Sequence, residues 1–199
     1  MRTLGVVLVM LALTGCLDIA TEVDLRRTND IAITQRFVIA AEAWDFGRGP
    51  LGTGQGMFVL DREDALAAAV AVDGVELSSY RRRENDDTIM VDITYRVRDI
   101  DALVAFWEPQ GTHDAAAREL VLPLTYDLGQ LDAEQTALLE ELFGASQYTL
   151  RVRLPRDGSM ESTATALVVA EREGRQHVAR ASLSALVTSP RAAAVVLRY

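Results

Sequence analysis

Thr88-Ile89-Met90-Val91-Asp92-Ile93-Thr94-Tyr95-Arg96-Val97-Arg98 is the stretch whose reading decides the fold. Ile89, Val91, Ile93, Tyr95 and Val97 fall on one side, and Met90, Asp92, Thr94, Arg96 and Arg98 on the other. That two-residue period describes a strand with one buried face. Residues 75–83 read as a second strand, and Glu84-Asn85-Asp86-Asp87 as the tight turn that joins the two into a hairpin.

Working outward, Asp61 is a natural N-cap, followed by acidic residues in a first helical turn, and Gly74 stops the helix. Its expected buried stripe is Leu66, Ala69, Val70 and Val72. Further upstream, residues 17–25 and 31–40 alternate apolar and polar around a polar break, which predicts another hairpin. Downstream, Asp99 caps a short helix over residues 100–107, and residues 119–126 read as a strand. Asp132-Ala133-Glu134-Gln135 has capping-box spacing ahead of Leu138, Leu139, Leu142 and Phe143, a helix stopped by Gly144. Strands are expected at about 148–154, 162–171, 177–187 and 194–199, with turns at Pro155-Arg156-Asp157-Gly158 and Glu173-Gly174-Arg175-Gln176. From residue 31 to 126 the order is β-α-β-β-α-β, a ferredoxin-like pattern. The expected fold class is α+β, mostly an antiparallel sheet of hairpins with about three helices.

The N-terminus says where the chain works. Leu4 to Cys16, LGVVLVMLALTGC, is a short apolar run behind Met1-Arg2-Thr3. A positive start, an apolar core and small residues at the cut site describe an export signal, and the run is too short to span a bilayer. The Leu13-Thr14-Gly15-Cys16 ending resembles a bacterial lipobox. The resemblance implies removal of residues 1–15 and a diacylglycerol thioether on Cys16, the chain's one cysteine. Residues 16–199 then form one α+β domain, with a subdivision conceivable near 127–131. No Ser/Gly-rich spacer follows Cys16, so the fold begins at the membrane.

Composition excludes some partners. The net charge is −9, with 29 acidic residues against 20 cations, and every cation is arginine. Such a chain is a poor match for a nucleic-acid backbone, which must be neutralised by Lys and Arg. The expected contacts are instead the membrane, through the N-terminal lipid, and a lipid or envelope protein.

Two stretches could carry binding. Residues 45–56, DFGRGPLGTGQG, read as a loop, with Trp44, Phe46, Leu51, Met57 and Phe58 around it. Those side chains either face a lipid or partner or are buried beneath the loop. The literal G-x-G-x-x-G of Gly47 to Gly52 lacks the strand and helix of a dinucleotide site, and Pro50 removes a donor. Arg81-Arg82-Arg83 could hold phosphate groups at the membrane face. Alternatively it pairs with its acidic neighbours at a hairpin end.

Catalytic signatures are missing from the sequence. His113 and His177 lie in no metal spacing and read as solvated surface residues; no metal site is expected. No nucleophile motif of the G-x-S-x-G or S-x-x-K kind occurs. Asp86-Asp87 and Glu140-Glu141 read as turn and solvated-face residues. The expectation is no enzyme, and no cofactor other than the covalent acyl lipid on Cys16.

The succession of helix, Gly74-Val75, strand with Tyr80, turn, strand and Ala102-Leu103-Val104-Ala105-Phe106, behind a lipobox, resembles uncharacterised spirochaete-like envelope lipoproteins. More distantly it resembles LppM-type lipoproteins of mycobacteria. The likeness covers roughly the first hundred residues and implies an envelope α+β domain that binds lipid or glycolipid. No site residue carries over beyond Cys16. The alternative is a structural or assembly subunit that meets its partners through exposed strands.

Overall fold

The computed structural model describes residues 17–41, 59–107, 111–125, 133–189 and 192–199. Cys16, the signal segment, the Trp44–Phe58 loop residues and the 127–131 subdivision lie outside these residues.

The alternating stretches become strands of one sheet. β1 (Leu17–Asp24) and β2 (Ile31–Ala40) form an antiparallel hairpin, as do β3 (Val75–Glu84) and β4 (Thr88–Val97). β2 pairs with β4, and β1 pairs in parallel with β7 (Gln147–Arg153). β7 continues to β10 (Gln176–Ser182), and β10 to β9 (Val169–Glu173). The order β3-β4-β2-β1-β7-β10-β9 places β1 in the middle of seven strands. Its position is braced at both ends. The Leu17 amide donates to Ser146 Oγ at 3.3 Å, Gln147 N donates to Asp18 Oδ1 at 3.0 Å, and Leu25 N donates to the Arg153 carbonyl at 2.8 Å.

A second, antiparallel sheet has the order β5-β6-β11-β8: β5 (Thr112–Asp114), β6 (Glu119–Pro123), β11 (Ala194–Arg198) and β8 (Ser159–Ser162). Leu120, Leu122, Val195 and Leu197 from this sheet share one core with Ile33, Ile93 and Leu150 from the first. Fully burying such a side chain contributes about 1.5–3 kcal/mol, which is what holds the layers together. The fold is α+β. The split β-α-β arrangement is present, with β4 lying antiparallel between β2 and β3. The fourth position beside β2 goes to β1, whereas β6 joins the second sheet.

Four helices occur among the described residues: α1 (Arg62–Val70), α2 (Ile100–Phe106), α3 (Ala133–Phe143) and α4 (Leu183–Thr188). α1 starts after Asp61 as its sequence predicts, but it ends at Val70, ahead of the expected stop at Gly74, and presents a different face. Ala65 and Ala69 are buried, while Leu66 and Val70 are exposed, at 45% and 76%. Two alanines let the helix lie close to the sheet, where larger side chains would hold it off. After it, Gly74 takes φ +84°, a left-handed conformation that glycine reaches without a Cβ clash.

Two expected strands need correction, and one strand is unexpected. The stretch 162–171 is mostly a turn, because β8 ends at Ser162 and β9 begins only at Val169. The stretch 177–187 is a strand only as far as Ser182; Leu183, Leu186 and Val187 then follow helical spacing and bury one face of α4. Residues 112–114, between the expected helix and the expected strand at 119–126, form β5. The Pro155 turn is present, closed by Gly158 N donating to the Pro155 carbonyl at 3.0 Å. A Cβ at Gly158 would meet Leu154 Cβ at 2.6 Å and the Arg198 carbonyl at 2.9 Å.

One buried polar atom stands out. Tyr95 is 1% exposed, its ring centroid lies 4.7 Å from that of Phe106, and its hydroxyl has no hydrogen-bond partner among the described residues. Burial pushes its phenol up to about 12. An unsatisfied buried hydroxyl costs about 1–3 kcal/mol. Tyr95→Phe is therefore expected to raise unfolding stability by about 1 kcal/mol, seen as a higher urea midpoint with unchanged slope; a lower midpoint would show that the hydroxyl is satisfied.

Candidate functional site

The arginine run alternates along a strand, so its members do not share a face. Arg81 lies opposite Asp92, Arg82 opposite Val91 and Arg83 opposite Met90. Arg36 Nε donates to Asp92 Oδ1 at 2.6 Å, and Arg83 donates to Asp92 Oδ2 at 2.5 Å. Arg82 donates to Glu84 at 2.9 Å. Burial works to raise the Asp92 carboxyl, but its bonds to Arg36 and Arg83 outweigh it and hold the group below its usual range. Two of the three arginines are thus tied to carboxylates, and the three do not converge on one point.

Both clefts described in the structure open at the Asp24 end of β1, opposite Leu17. One, of about 710 Å³, is walled by Asn29, Asp30, Gly74, Arg96 and Arg98 together with Val70. Its cations are engaged: Arg96 donates to Asp30 at 2.9 Å, and Arg98 reaches Asp73 at 3.2 Å and Asp99 at 3.0 Å.

The second cleft, of about 450 Å³, gathers Thr28, Asp99, Asp101, His113, Arg118 and Tyr199. Each is placed by a local rule. Asp99 caps α2 by accepting from Ala102 N at 2.8 Å, which sets Asp101 in the first, exposed turn. That amide, then Arg98, holds the Asp99 carboxyl below its usual range. His113 sits on β5, and the following turn is organised by Asp114 Oδ1, which accepts from Ala116 N at 2.9 Å and Ala117 N at 3.0 Å. Arg118 closes the turn at φ +52°, the only left-handed non-glycine among the described residues. Tyr199 follows β11, and its amide donates to the Arg118 carbonyl at 3.2 Å.

These residues interlock. His113 Nδ1 lies 3.0 Å from Asp101 Oδ1, and Nε2 lies 2.7 Å from the Tyr199 hydroxyl. A carboxylate only accepts, so Nδ1 donates to Asp101; in the neutral ring Nε2 then accepts from the phenol. The Arg118 guanidinium carbon sits 5.6 Å from the centroid of the Tyr199 ring, within cation–π range. Burial raises the Tyr199 phenol despite the opposing charge of Arg118. The His113 side chain is only 16% exposed, whereas that of Asp101 is 88% exposed.

The reading of His113 as a solvated surface residue is therefore corrected. The signal that could have found it is the short hairpin of residues 112–114 and 119–123 around Ala115-Ala116-Ala117. Tyr199 could not have been placed there without knowing that β11 pairs with β6. His177 is half-buried on β10; burial first, then the charge of Arg172, pushes its imidazole down against a bond to the Gly158 backbone. No group of three or more potential metal-ligating side chains occurs among the described residues, and no described helix is long and apolar enough to cross a membrane.

No family model and no curated protein matches the chain, so the spirochaete-like resemblance finds no counterpart. Among solved structures, the chain is weakly similar to the folded domain of the LppM protein of Mycobacterium tuberculosis. The TM-score is 0.40 at 12% identity, covering 94% of this chain and 91% of that one. It is also similar to an M1 zinc metallopeptidase from Deinococcus radiodurans, with a TM-score of 0.36 at 12% identity, covering 92% of this chain but 42% of the enzyme. At this level neither likeness bears on activity.

The Asp92 cluster gives a test of the electrostatics. Its carboxyl is held below its ordinary value of 3.8. The stabilisation is therefore complete above that value and is lost as pH falls through the folded one. Asp92→Asn should cost about 1 kcal/mol at pH 7 and make stability fall less steeply between pH 5 and pH 2. Urea titrations across that range measure both effects.

Proposed function

We propose that this chain is a lipid-anchored binding protein of the bacterial envelope, without enzymatic activity. The observation that carries the reading is the Leu13-Thr14-Gly15-Cys16 ending, followed directly by β1 at the centre of the main sheet. An acyl group on Cys16 would hold the Leu17 end of the sheet at the bilayer. Eight extended residues at about 3.3 Å each put the two clefts roughly 25 Å further out. Their walls carry Asp, Arg and His, so the part of a lipid or glycolipid they suit is its polar head rather than its acyl chain.

A structural role has one observation in its favour. β9 is an outer strand whose second edge pairs with no other strand among the described residues, and its Val169 is 60% exposed. The opposite edge strand, β3, carries a register shift between Leu77 and Ser79 and the three arginines, features that discourage edge pairing.

Anchoring is tested by growing cells with an alkyne-tagged fatty acid. Wild-type chain should take up the label and sediment with membranes, and Cys16→Ser should lose the label and appear in the soluble fraction. Label retained by Cys16→Ser would sink the anchor. Cargo is tested by native mass spectrometry of the Cys16→Ser form purified from an envelope extract. A dissociable lipid or glycolipid mass supports the binding reading, and a clean apo monomer shifts the role to a partner-dependent one.

A further inference from the structure

We propose that the Tyr199 cleft binds a phosphate-type oxyanion, gripped by the guanidinium of Arg118. The argument begins with charge. Two carboxylates line this cleft, and both are already tied to donors: Asp99 to Ala102 N and Arg98, Asp101 to His113. Arg118 has no carboxylate partner among the described residues; its recorded contact is with the face of the Tyr199 ring. Stacking leaves the edge of a guanidinium fork available, and that edge matches two oxygens of a phosphate.

The geometry is also held in advance. Asp101 orients His113, His113 holds the Tyr199 hydroxyl at 2.7 Å, and the Tyr199 ring supports Arg118. Asp101, His113 and Tyr199 come from α2, β5 and the residue after β11, and His113 and Tyr199 are 86 positions apart. Asp101, His113 and Tyr199 are thus positioning residues, and Arg118 is the contact. The backbone of Arg118 supports this division. A non-glycine residue held at positive φ is strained and persists where its surroundings over-determine it. Here the strained residue is the one whose long cationic side chain lines the cleft over the Tyr199 ring, with Thr28 among the other lining residues. The phosphate could belong to a free small molecule or to a lipid headgroup; the chemistry recognised is the same.

The test uses the chain with Cys16→Ser, so that no anchor inserts by itself, alongside the same chain carrying Arg118→Gly. Glycine relieves the positive φ, so this variant should unfold at an equal or higher urea concentration, separating loss of binding from loss of fold. Inorganic phosphate is titrated calorimetrically. In parallel, flotation is measured with phosphatidylcholine vesicles with and without phosphatidic acid. Saturable phosphate binding weakened about tenfold or more by Arg118→Gly supports the site and a soluble ligand. Flotation that needs phosphatidic acid and is lost in Arg118→Gly supports the site and a headgroup. Binding in neither arm, or equal binding by both chains, overturns it. The inference rests on the cleft, so a failed label on Cys16 would leave it standing.

Discussion

Everything in this structure depends on alternate side chains of β1, β2, β4 and β7 being removed from water together. Leu17, Ile19 and Val23 meet Ile33, Phe37 and Ile39, then Val91, Ile93 and Tyr95, and on the other side Tyr148, Leu150 and Val152. A shift of one residue in any of these pairings would turn a whole row of apolar side chains outward. The registers are therefore set by burial, and the polar faces follow. Because β1 is paired on both sides, the hairpin of the first half and the strands of the second half share one sheet and one core.

Much of this was legible because local patterns and tertiary burial agree. β2 runs over the span its alternation predicts, and Asp99 caps α2 as its position suggests. Reading failed where local chemistry leaves two options open. The spacing of Leu66 and Val70 fits a buried stripe as well as the Ala65–Ala69 face does, and only the need for close approach decides between them. In residues 177–187 the β-like start hides the helical spacing of Leu183, Leu186 and Val187. The Tyr199 cleft was illegible for another reason. It is assembled by the pairing of β6 with β11, a contact no local pattern announces.

The exclusive use of arginine leaves its mark on both sheets. Arg36 and Arg83 flank Asp92, Arg180 bridges Glu171 and Glu173, and Arg198 bridges Glu119 and Glu161. Each cation spans two acceptors or shares one across neighbouring strands, a task for a planar fork more than for a point charge. At such exposed positions water and salt screen each pair, so it adds little to stability. Their effect is to tie neighbouring strands together across each sheet, and Arg118 differs from them in lying against an aromatic ring inside a cleft.

The parallel pairing of β1 with β7 also has a consequence in time. Ile19 faces Tyr148, so the first strand of the sheet to be synthesised has to wait until most of the chain has followed before its second edge is covered. Closing so long a loop comes before the contacts that reward it, which slows folding and leaves a central strand exposed meanwhile. The β1–β2 hairpin, with eight paired positions, is the structure available to shield one side of that strand during the wait. Assembly of the main sheet is thus ordered by the chain itself: a hairpin first, and cover for the second edge of β1 only after residue 153 has emerged.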